Sequence, residues 1–261
     1  MGGRPVDVHG RGDRLRRRDL IGASPKHLRA TVAACWPAPY RDGVTCPNPS
    51  CCPPHYNVFD DREARGKMEA YRKNGPDAQS RELVDVLQRQ GIEGATAVEI
   101  GAGIGAIGHA LVAAGVGHLT DIDGSPAFLA AAREEAERLG TADRWQFVEG
   151  DYVALADELG PADVVALGRV VCCYADWREL VAASTARTLR LYGLVYPVSR
   201  WWLRAGATLA NAVVGLFRPG DRIYIHPDRQ VDAAVRAAGF EPIHLRRGPF
   251  WQTAVYRRVA A

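Results

Sequence analysis

Short apolar segments alternate regularly with longer helix-like segments from about residue 77 onward. The apolar segments have the length of buried strands, and we predict strands at 96–101, 118–123, 145–150, 162–168, 193–199, 222–227 and 251–258. Strands separated by helices form an open, mostly parallel sheet with helices on both faces. We therefore predict a Rossmann-like α/β fold with a seven-stranded sheet.

Helix signals occupy the intervals between these strands, and they predict helices at 77–90, 107–115, 126–139, 152–160, 176–190, 201–217 and 228–240. The third helix has a predicted N-cap at Ser125, a proline at its first position and Gly140 at its end. Asp176 and Glu179 form a capping-box pattern at the start of the fifth helix. The helix at 201–217 is an insertion before the last strands.

Residues 1–54 are expected to be an irregular extension, with a basic tail followed by a loop rich in cysteine and proline. The net charge of +3 at pH 7 is mild and gives no argument for a nucleic-acid partner. No apolar secretion signal and no membrane-spanning stretch is visible, so the expected location is the cytoplasm, with reduced cysteines. Residues 55–261 are predicted to form one domain.

The segment "VEIGAGIGAIG" places three glycines, Gly101, Gly103 and Gly105, directly after the first strand. Glycines there permit a tight turn and let the backbone approach a ligand at the N-terminus of the next helix. With Ala106, the same spacing also fits the dinucleotide-binding fingerprint. The glycine motif alone therefore leaves both NAD and S-adenosylmethionine (SAM) open.

Three further features favour SAM. Asp123 ends the second strand, at the spacing from the glycine motif where an acidic residue would hold a ribose. The third strand ends in "EGD", which brings Asp151 and Tyr152 to a position for reading the edge and face of an adenine. The predicted sheet closes with a fifth strand and a final pair, and not with a second mononucleotide-binding half.

In this order, the motifs resemble those of the class I SAM-dependent methyltransferases over residues 55 to 258. The resemblance implies SAM as cofactor and S-adenosylhomocysteine (SAH) as product. It implies the following cofactor-binding residues: Glu99, Gly101, Ala102, Gly103, Gly105, Asp123, Gly124, Asp151, Tyr152 and Gly168.

The segments "HYNVFD", "YRKNGPDAQSRELV", "RVVCCYADW" and "YPVSRWW" resemble a subgroup of bacterial small-molecule methyltransferases, distantly similar to the magnesium-protoporphyrin O-methyltransferases. This resemblance implies that Tyr56 and Phe59 close over the cofactor and that Tyr71 and Arg72 lie near its methionine end. Gly168 departs from the subgroup, which has a side chain there, and leaves the contacts of the following arginine open.

In this fold the acceptor pocket is formed by the loop after the fourth strand, the N-terminal lid and the insertion after the fifth strand. The candidate catalytic residues are His55, Tyr56 and Tyr174, and the candidate pocket residues are Cys172, Cys173, Arg200, Trp201 and His226. Several have plainer interpretations. His226 suits a turn histidine bonded to the backbone, Trp201 an anchor for its helix, and Arg200 a surface ion pair.

The cysteines lack the paired spacing of a zinc site, so no metal is predicted. Buried packing is the ordinary role for Cys172 and Cys173. The alternative is a thiolate pocket for a soft acceptor, with Cys51 or Cys52 brought across by the lid and Cys46 nearby in the same loop. The Asn/Asp-Pro-Pro-aromatic signature of enzymes that methylate amino groups of DNA bases is absent after the fourth strand.

The predicted function is methyl transfer from SAM to the oxygen or nitrogen of a small organic acceptor, in biosynthetic or secondary metabolism. One alternative is a metalloid (arsenite) or thiol methyltransferase, and another is a non-catalytic SAM-binding regulator. The expected partner is a small molecule, with no nucleic acid and no stable membrane insertion. A homodimer, the acceptor and the transfer atom are left open by the sequence.

Overall fold

A computed structural model describes residues 60–217 and 222–259 of the chain. The predicted extension at 1–54, with Cys46, Cys51 and Cys52, and the lid residues His55, Tyr56 and Phe59 lie outside the described residues. In the described ranges, no helix has both the length and the apolar character needed to cross a membrane.

The described elements alternate along the chain much as predicted. They are α1 (Asp61–Asn74), α2 (Ala78–Gln88), β1 (Thr96–Ile100), α3 (Ala106–Ala113), β2 (His118–Asp123), α4 (Pro126–Arg138), β3 (Trp145–Glu149), α5 (Tyr152–Leu155), β4 (Ala162–Gly168), α6 (Trp177–Ala186), β5 (Thr188–Pro197), α7 (Trp201–Phe217), α8 (Asp228–Ala237), β6 (Phe240–Arg247) and β7 (Trp251–Arg258).

The strands form one seven-stranded sheet in the order β3-β2-β1-β4-β5-β7-β6. Strands β1 to β5 pair in parallel, whereas β7 runs antiparallel to both β5 and β6. The carboxyl ends of β1 to β6 therefore share one edge of the sheet, where ligands bind in folds of this type. The predicted mostly parallel α/β sheet is confirmed.

Apolar side chains cover both faces of the central strands. On one face Trp177 and Leu180 of α6 pack with Tyr192 in a fully buried cluster. On the other face Leu87 of α2 and Leu111 of α3 pack over the same strands. Because β1 and β4 are buried on both sides, they appear in the sequence as continuous apolar runs.

The predicted helix caps are confirmed. Ser125 accepts a hydrogen bond from the backbone N–H of Phe128 at 3.3 Å, and Pro126 occupies the first position of α4. Asp176 likewise accepts from the N–H of Glu179 at 3.2 Å at the start of α6. These caps satisfy backbone donors that have no partner within the helix.

The bounds predicted for the helices at 152–160 and 176–190 and for the strand at 193–199 were wrong, as was the strand predicted at 222–227. Helix α5 ends at Leu155, and β5 runs from Thr188 to Pro197. Helix α6 ends at Ala186 and not at residue 190, because Thr188 already pairs with Ala162 and opens β5. The segment 222–227 is not a strand: the Tyr224 N–H donates instead to the carbonyl of Cys172 at 2.7 Å. That contact joins the segment to the loop after β4.

The sixth strand is β6, a segment that the sequence did not predict as a strand. Pro242 lies inside it, and proline lacks the N–H that a central strand needs. Because β6 is the edge strand of the sheet, the proline is tolerated, with a shift in the pairing register between Pro242 and His244.

Helix α1 was also missed by the sequence interpretation. Asp60 caps it by accepting from the N–H groups of Arg62 and Glu63. Its buried residues Ala64 and Met68 pack with Phe128 of α4. Helix α1 therefore lies beside the glycine-containing turn that follows β1.

Candidate active site

The turn after β1 has the geometry predicted for a ligand-binding glycine loop. Gly101, Gly103 and Gly105 have φ angles of +62°, +59° and +70°, which side-chain-bearing residues rarely adopt. A Cβ atom on Gly101 would lie 2.4 Å from Cγ2 of Val170, just beyond β4. The loop is therefore packed against the chain segment that follows β4, and a side chain would separate them.

Asp123 connects this loop to the end of β2. Its Oδ2 accepts from the N–H of Gly103 at 2.8 Å, and its Oδ1 accepts from the N–H of Ser125 at 2.8 Å, across Gly124. Each carboxylate oxygen has a second lone pair, so both can still accept a ligand hydroxyl. Burial raises the pKa of Asp123, and the two backbone donors oppose that effect. The arrangement fits a ribose with its two adjacent hydroxyl groups.

Asp151 caps α5 at the end of β3 and has one oxygen without a partner. Its Oδ1 accepts from the N–H of Val153 at 2.9 Å and from the hydroxyl of Tyr174 in a short hydrogen bond. Its Oδ2 is buried and has no hydrogen-bond partner among the described residues. A buried carboxylate oxygen is costly to leave unpaired. An amino donor such as that of adenine suits this position, so the residues present fit the adenosine of SAM.

The structure moves Tyr152 from the predicted adenine face into the core. Its side chain is 4% exposed and packs in the cluster that contains Trp177 and Tyr192. Burial raises its pKa to about 12. Tyr152 therefore packs in the core next to Asp151, and its ring is not exposed to a ligand in this structure.

Glu99 lies beneath the first turn of α3. It is 2% exposed, and its Oε2 accepts from the N–H of Gly108 at 2.6 Å. Its cross-strand neighbour Asp121 is fully buried, and its two oxygens have no partner in the described part of the chain. In this structure Glu99 anchors the helix that follows the glycine loop, and a direct contact of Glu99 with the cofactor stays a prediction.

Two of the buried ionisable groups around α3, Asp121 and His109, were not singled out in the sequence. Burial raises the pKa of Glu99 to about 8 and raises that of Asp121 well above its usual range. Burial lowers the pKa of His109 to about 4. Side chains alternate between the two faces of β2, so Asp121 lies on the same face as Asp123. This spacing in the sequence could have indicated that Asp121 is buried near the site.

We expect Glu99→Gln to make stability less dependent on pH. With a folded pKa of about 8 against a usual 4.5, wild-type Glu99 keeps its proton only in the folded state, so stability falls as pH rises toward 8. Between pH 6.5 and 8 the loss is about 2 kcal/mol. Unfolded His109 still loses protons in the lower part of this window, but that effect is the same in wild type and Glu99→Gln and cancels in the comparison. Urea unfolding at several pH values measures the effect, because glutamine keeps the acceptor for Gly108 but has no proton to lose.

The matched control for this measurement is Glu158→Gln, since Glu158 is an exposed glutamate outside the glycine loop. That variant should show the wild-type decrease in stability. A Glu99→Gln protein that loses as much stability as wild type between pH 6.5 and 8 would contradict the assignment.

Arg72 pairs with two glutamates of helix α4. Its Nε donates to Glu135 at 2.8 Å and its Nη2 to Glu134 at 3.1 Å, both on α4. The ring of Tyr71 lies 5.8 Å from that of His109. The guanidinium of Arg72 is thus bound to α4, and a position of Tyr71 and Arg72 near the methionine end of the cofactor stays a prediction.

Lys67, one helical turn before Tyr71, is the residue of α1 that approaches the predicted site. Its Nζ lies 4.9 Å from the ring centre of Phe128. Its positive charge opposes the burial that raises the pKa of Asp123, and it adds to the effect of the Cys172 thiol, which lowers the pKa of Cys173. The sequence interpretation did not include Lys67, because α1 itself was not predicted.

The structure at the end of β4 shows why Gly168 has no side chain and what the following arginine contacts. A Cβ on Gly168 would lie 2.5 Å from Cδ1 of Ile107, so the position has no room for a side chain. The next residue, Arg169, has a φ of +63°, an unusual value for a residue with a side chain. Its Nη2 lies 2.9 Å from Oδ1 of Asp77, and its guanidinium lies 4.8 Å from the ring centre of Trp251.

Cys172 and Cys173 follow in a short turn at the same edge. Cys172 is buried and donates to the carbonyl of Arg169 at 3.1 Å, as packing predicts, whereas Cys173 is exposed. Their sulfur atoms are 3.9 Å apart. The neighbouring Cys172 thiol lowers the pKa of Cys173. The described ranges hold no group of three or more side chains suited to a metal ion.

The other predicted pocket residues are His226, Arg200 and Trp201. His226 donates from Nε2 to the carbonyl of Tyr174 at 2.9 Å, which confirms the interpretation as a turn histidine bonded to the backbone. Arg200 lines a cleft beside the end of β5. Trp201 is 80% exposed, so it does not anchor α7; Trp202 instead packs edge-on against Phe250.

The comparisons with known proteins agree with this geometry. The family model described as "Methyltransferase domain" matches residues 97–193, from β1 into β5. No curated protein sequence matches the chain.

Among solved structures, magnesium protoporphyrin IX methyltransferase from Synechocystis PCC 6803 with bound SAH is similar, with 18% identity and a TM-score of 0.58. The match covers 78% of this chain and 99% of that one.

An O-methyltransferase family protein from Burkholderia thailandensis has 20% identity and a TM-score of 0.58, with coverage of 77% of this chain and 61% of that one. An O-methyltransferase family 2 protein from Planctomyces limnophilus DSM 3776, in complex with apigenin, has 18% identity and a TM-score of 0.55, with coverage of 76% and 62%. At these identities the likeness shows the fold.

The strand order, the antiparallel β7 and the glycine loop after β1 define a class I methyltransferase fold. The matched methyltransferase domain spans the predicted cofactor residues from Gly101 to Asp151. The fold and the methyltransferase domain matched at residues 97–193 indicate a SAM-dependent methyltransferase, with SAM as its cofactor.

Proposed function

We propose that this enzyme transfers a methyl group to the oxygen or nitrogen of a small organic acceptor in biosynthetic or secondary metabolism. The observation that carries the proposal is a cleft of about 500 Å³ at the carboxyl edge of the sheet, beside the end of β5. Clefts of this volume suit small organic molecules. The glycine loop is not part of its wall, so cofactor and acceptor would occupy adjacent places along one edge.

The loop after β4 lies between these two places. Tyr174 donates its hydroxyl to Asp151 on the cofactor side, and its carbonyl accepts from His226 on the cleft side. Pro227, the next residue, lines the cleft. We infer that this loop sets the distance between the adenosine and the acceptor, which is the main task of a methyltransferase.

Bound SAM supplies a methyl group on a positively charged sulfur, which an acceptor lone pair can displace. A protein base is needed only where the acceptor must lose a proton. Tyr174 and His226 are both occupied by the hydrogen bonds described above. An acceptor that is already deprotonated, or an amine with a lone pair, therefore matches the described residues best.

A thiol or metalloid acceptor is the second candidate, and the Cys172–Cys173 pair is the observation that favours it. The two sulfur atoms are 3.9 Å apart, and the exposed Cys173 has a lowered pKa. Thiolates are the nucleophilic and soft-ligand form of cysteine. This candidate requires the cysteines for turnover, whereas the first does not.

We expect SAH release from SAM in the presence of phenols, carboxylates or amines, and little release with thiols or arsenite. Labelled SAM and three separate acceptor pools measure this. A Cys172→Ser/Cys173→Ser protein is the matched variant and should keep turnover with the oxygen or nitrogen pool. Turnover confined to thiols and arsenite, and lost in that variant, would support the second candidate instead.

A further inference from the structure

The cleft beside β5, which we call the arginine cleft, is lined by three arginines on separate elements. Arg200 follows β5, Arg229 lies in the first turn of α8, and Arg247 ends β6. Since β5 and β6 run in the same direction, their carboxyl ends place Arg200 and Arg247 at the edge of the sheet that also carries the glycine loop.

Among the described residues, one carboxylate, that of Asp228, lies in the wall of the cleft, and it already has hydrogen-bond partners. Its Oδ1 accepts from the hydroxyl of Ser199 at 2.7 Å and from the N–H of Arg229 at 2.8 Å. Its Oδ2 lies 3.5 Å from Nη2 of Arg247. Asp228 is nearly buried, so its role is to tie the start of α8 to the segment after β5.

The arginine charges exceed this single negative charge. The guanidinium groups of Arg200 and Arg229 form no ion pair within the described residues, and Arg247 shares the one carboxylate at 3.5 Å. Cationic side chains around a concave surface concentrate anions there. Guanidinium groups bind carboxylate and phosphate oxygens in bidentate pairs, which a point charge cannot do.

The wall of the arginine cleft is also joined to the loop that separates it from the cofactor residues. Tyr224 donates its N–H to the carbonyl of Cys172 at 2.7 Å, and His226 donates to that of Tyr174 at 2.9 Å. A molecule whose anionic group rests on the arginines would therefore extend along this loop toward the glycine loop.

We propose that the arginine cleft binds an anionic group, a carboxylate or phosphate, of the methyl acceptor, so that the substrates are small organic acids. This inference rests on the proposed function. The anionic group orients the acceptor, and the methylated atom is at the other end of the molecule.

The test compares small organic acids with their neutral amides, using hydroxybenzoates and hydroxybenzamides together with an aliphatic hydroxy acid series. We expect the full-length, SAH-bound protein to bind acids at least tenfold more tightly than amides in calorimetry. Arg200→Gln/Arg229→Gln should remove that preference and leave SAH affinity unchanged. In turnover, the same variant should raise KM for acids about tenfold or more, with a smaller change in kcat.

Arg236→Gln is the matched control. Arg236 lies on the same helix as Arg229, is half exposed and pairs with Asp232 at 2.7 Å outside the cleft. It should bind acids as wild type does. Equal binding of acids and amides by the wild-type protein, or an unchanged preference in the double variant, overturns the anion site.

The two proposals fail in different ways. SAH release that is equally fast with neutral acceptors leaves the proposed function standing and rejects the anion site. Binding of acids that depends on Arg200 and Arg229, without SAH release from any acceptor pool, supports the anion site and rejects a small organic acceptor.

Discussion

Asp151→Asn is expected to weaken SAH binding by about 10- to 100-fold. The backbone N–H of Val153 and the hydroxyl of Tyr174 both donate to Oδ1, so an asparagine would keep its oxygen there. Its amide N–H₂ would then face the amino group of adenine, donor against donor. A hydrogen bond to a charged group is worth about 1.5–3 kcal/mol, which gives this range of affinity.

Calorimetric titration of SAH into both proteins measures the change, and Asp157→Asn is the control. The side chain of Asp157 is fully exposed and pairs with Arg187 at the surface at 2.7 Å, so the same substitution there should leave SAH affinity unchanged. Wild-type affinity in Asp151→Asn would show that the unpaired oxygen is not an adenine contact.

Gly101→Ala is expected to reduce stability by roughly 2–5 kcal/mol and to abolish SAH binding. The positive φ of +62° costs a side-chain-bearing residue about 1–2 kcal/mol, and the new Cβ would lie 2.4 Å from Val170. Overpacking of this kind adds about 1–3 kcal/mol. To relieve the overlap, the glycine loop must move away from the segment after β4, which disturbs the cofactor site.

The chain provides a control with a positive φ but without the overlap. Gly140, just after α4, has a φ of +67°, and a Cβ there would meet no atom within 4 Å. Gly140→Ala should therefore lose about 1–2 kcal/mol and retain SAH binding. Thermal unfolding and SAH titration of both variants separate the cost of the positive φ from the cost of the overlap with Val170. An equal loss of stability in the two proteins would mean that contact with Val170 is unimportant.

The cofactor half of the site could be predicted from the sequence because its geometry is local. Gly101, Asp123 and Asp151 each lie at or just past the carboxyl end of a strand, and parallel strands bring their carboxyl ends to one edge. Short caps such as Ser125 were readable for the same reason: the interacting groups are three residues apart. Local chemistry of this kind depends little on the rest of the fold.

The proposed acceptor half of the site is formed by contacts between segments that are far apart in the chain. Such contacts leave weaker signals in the sequence than local motifs do. The segment 222–227 alternates like a strand, but its N–H at Tyr224 binds the loop after β4 rather than a neighbouring strand. Pro242 argued against a strand at β6, because proline lacks the N–H that a central strand needs. It is tolerated because β6 lies at the edge of the sheet. The pairing of Arg72 with α4 likewise followed from helix α1, which the sequence interpretation lacked.

The position of β7 has a consequence for how the protein is made. Strand β7 follows β6 in the chain but lies between β5 and β6 in the sheet, where seven of its residues pair with β5. During synthesis, β6 emerges before the strand that connects it to the sheet. Until β7 follows, the long apolar strand β5 has an open edge, which is the kind of surface that promotes aggregation. The nascent chain therefore passes through a stage that needs protection just before its sheet is completed.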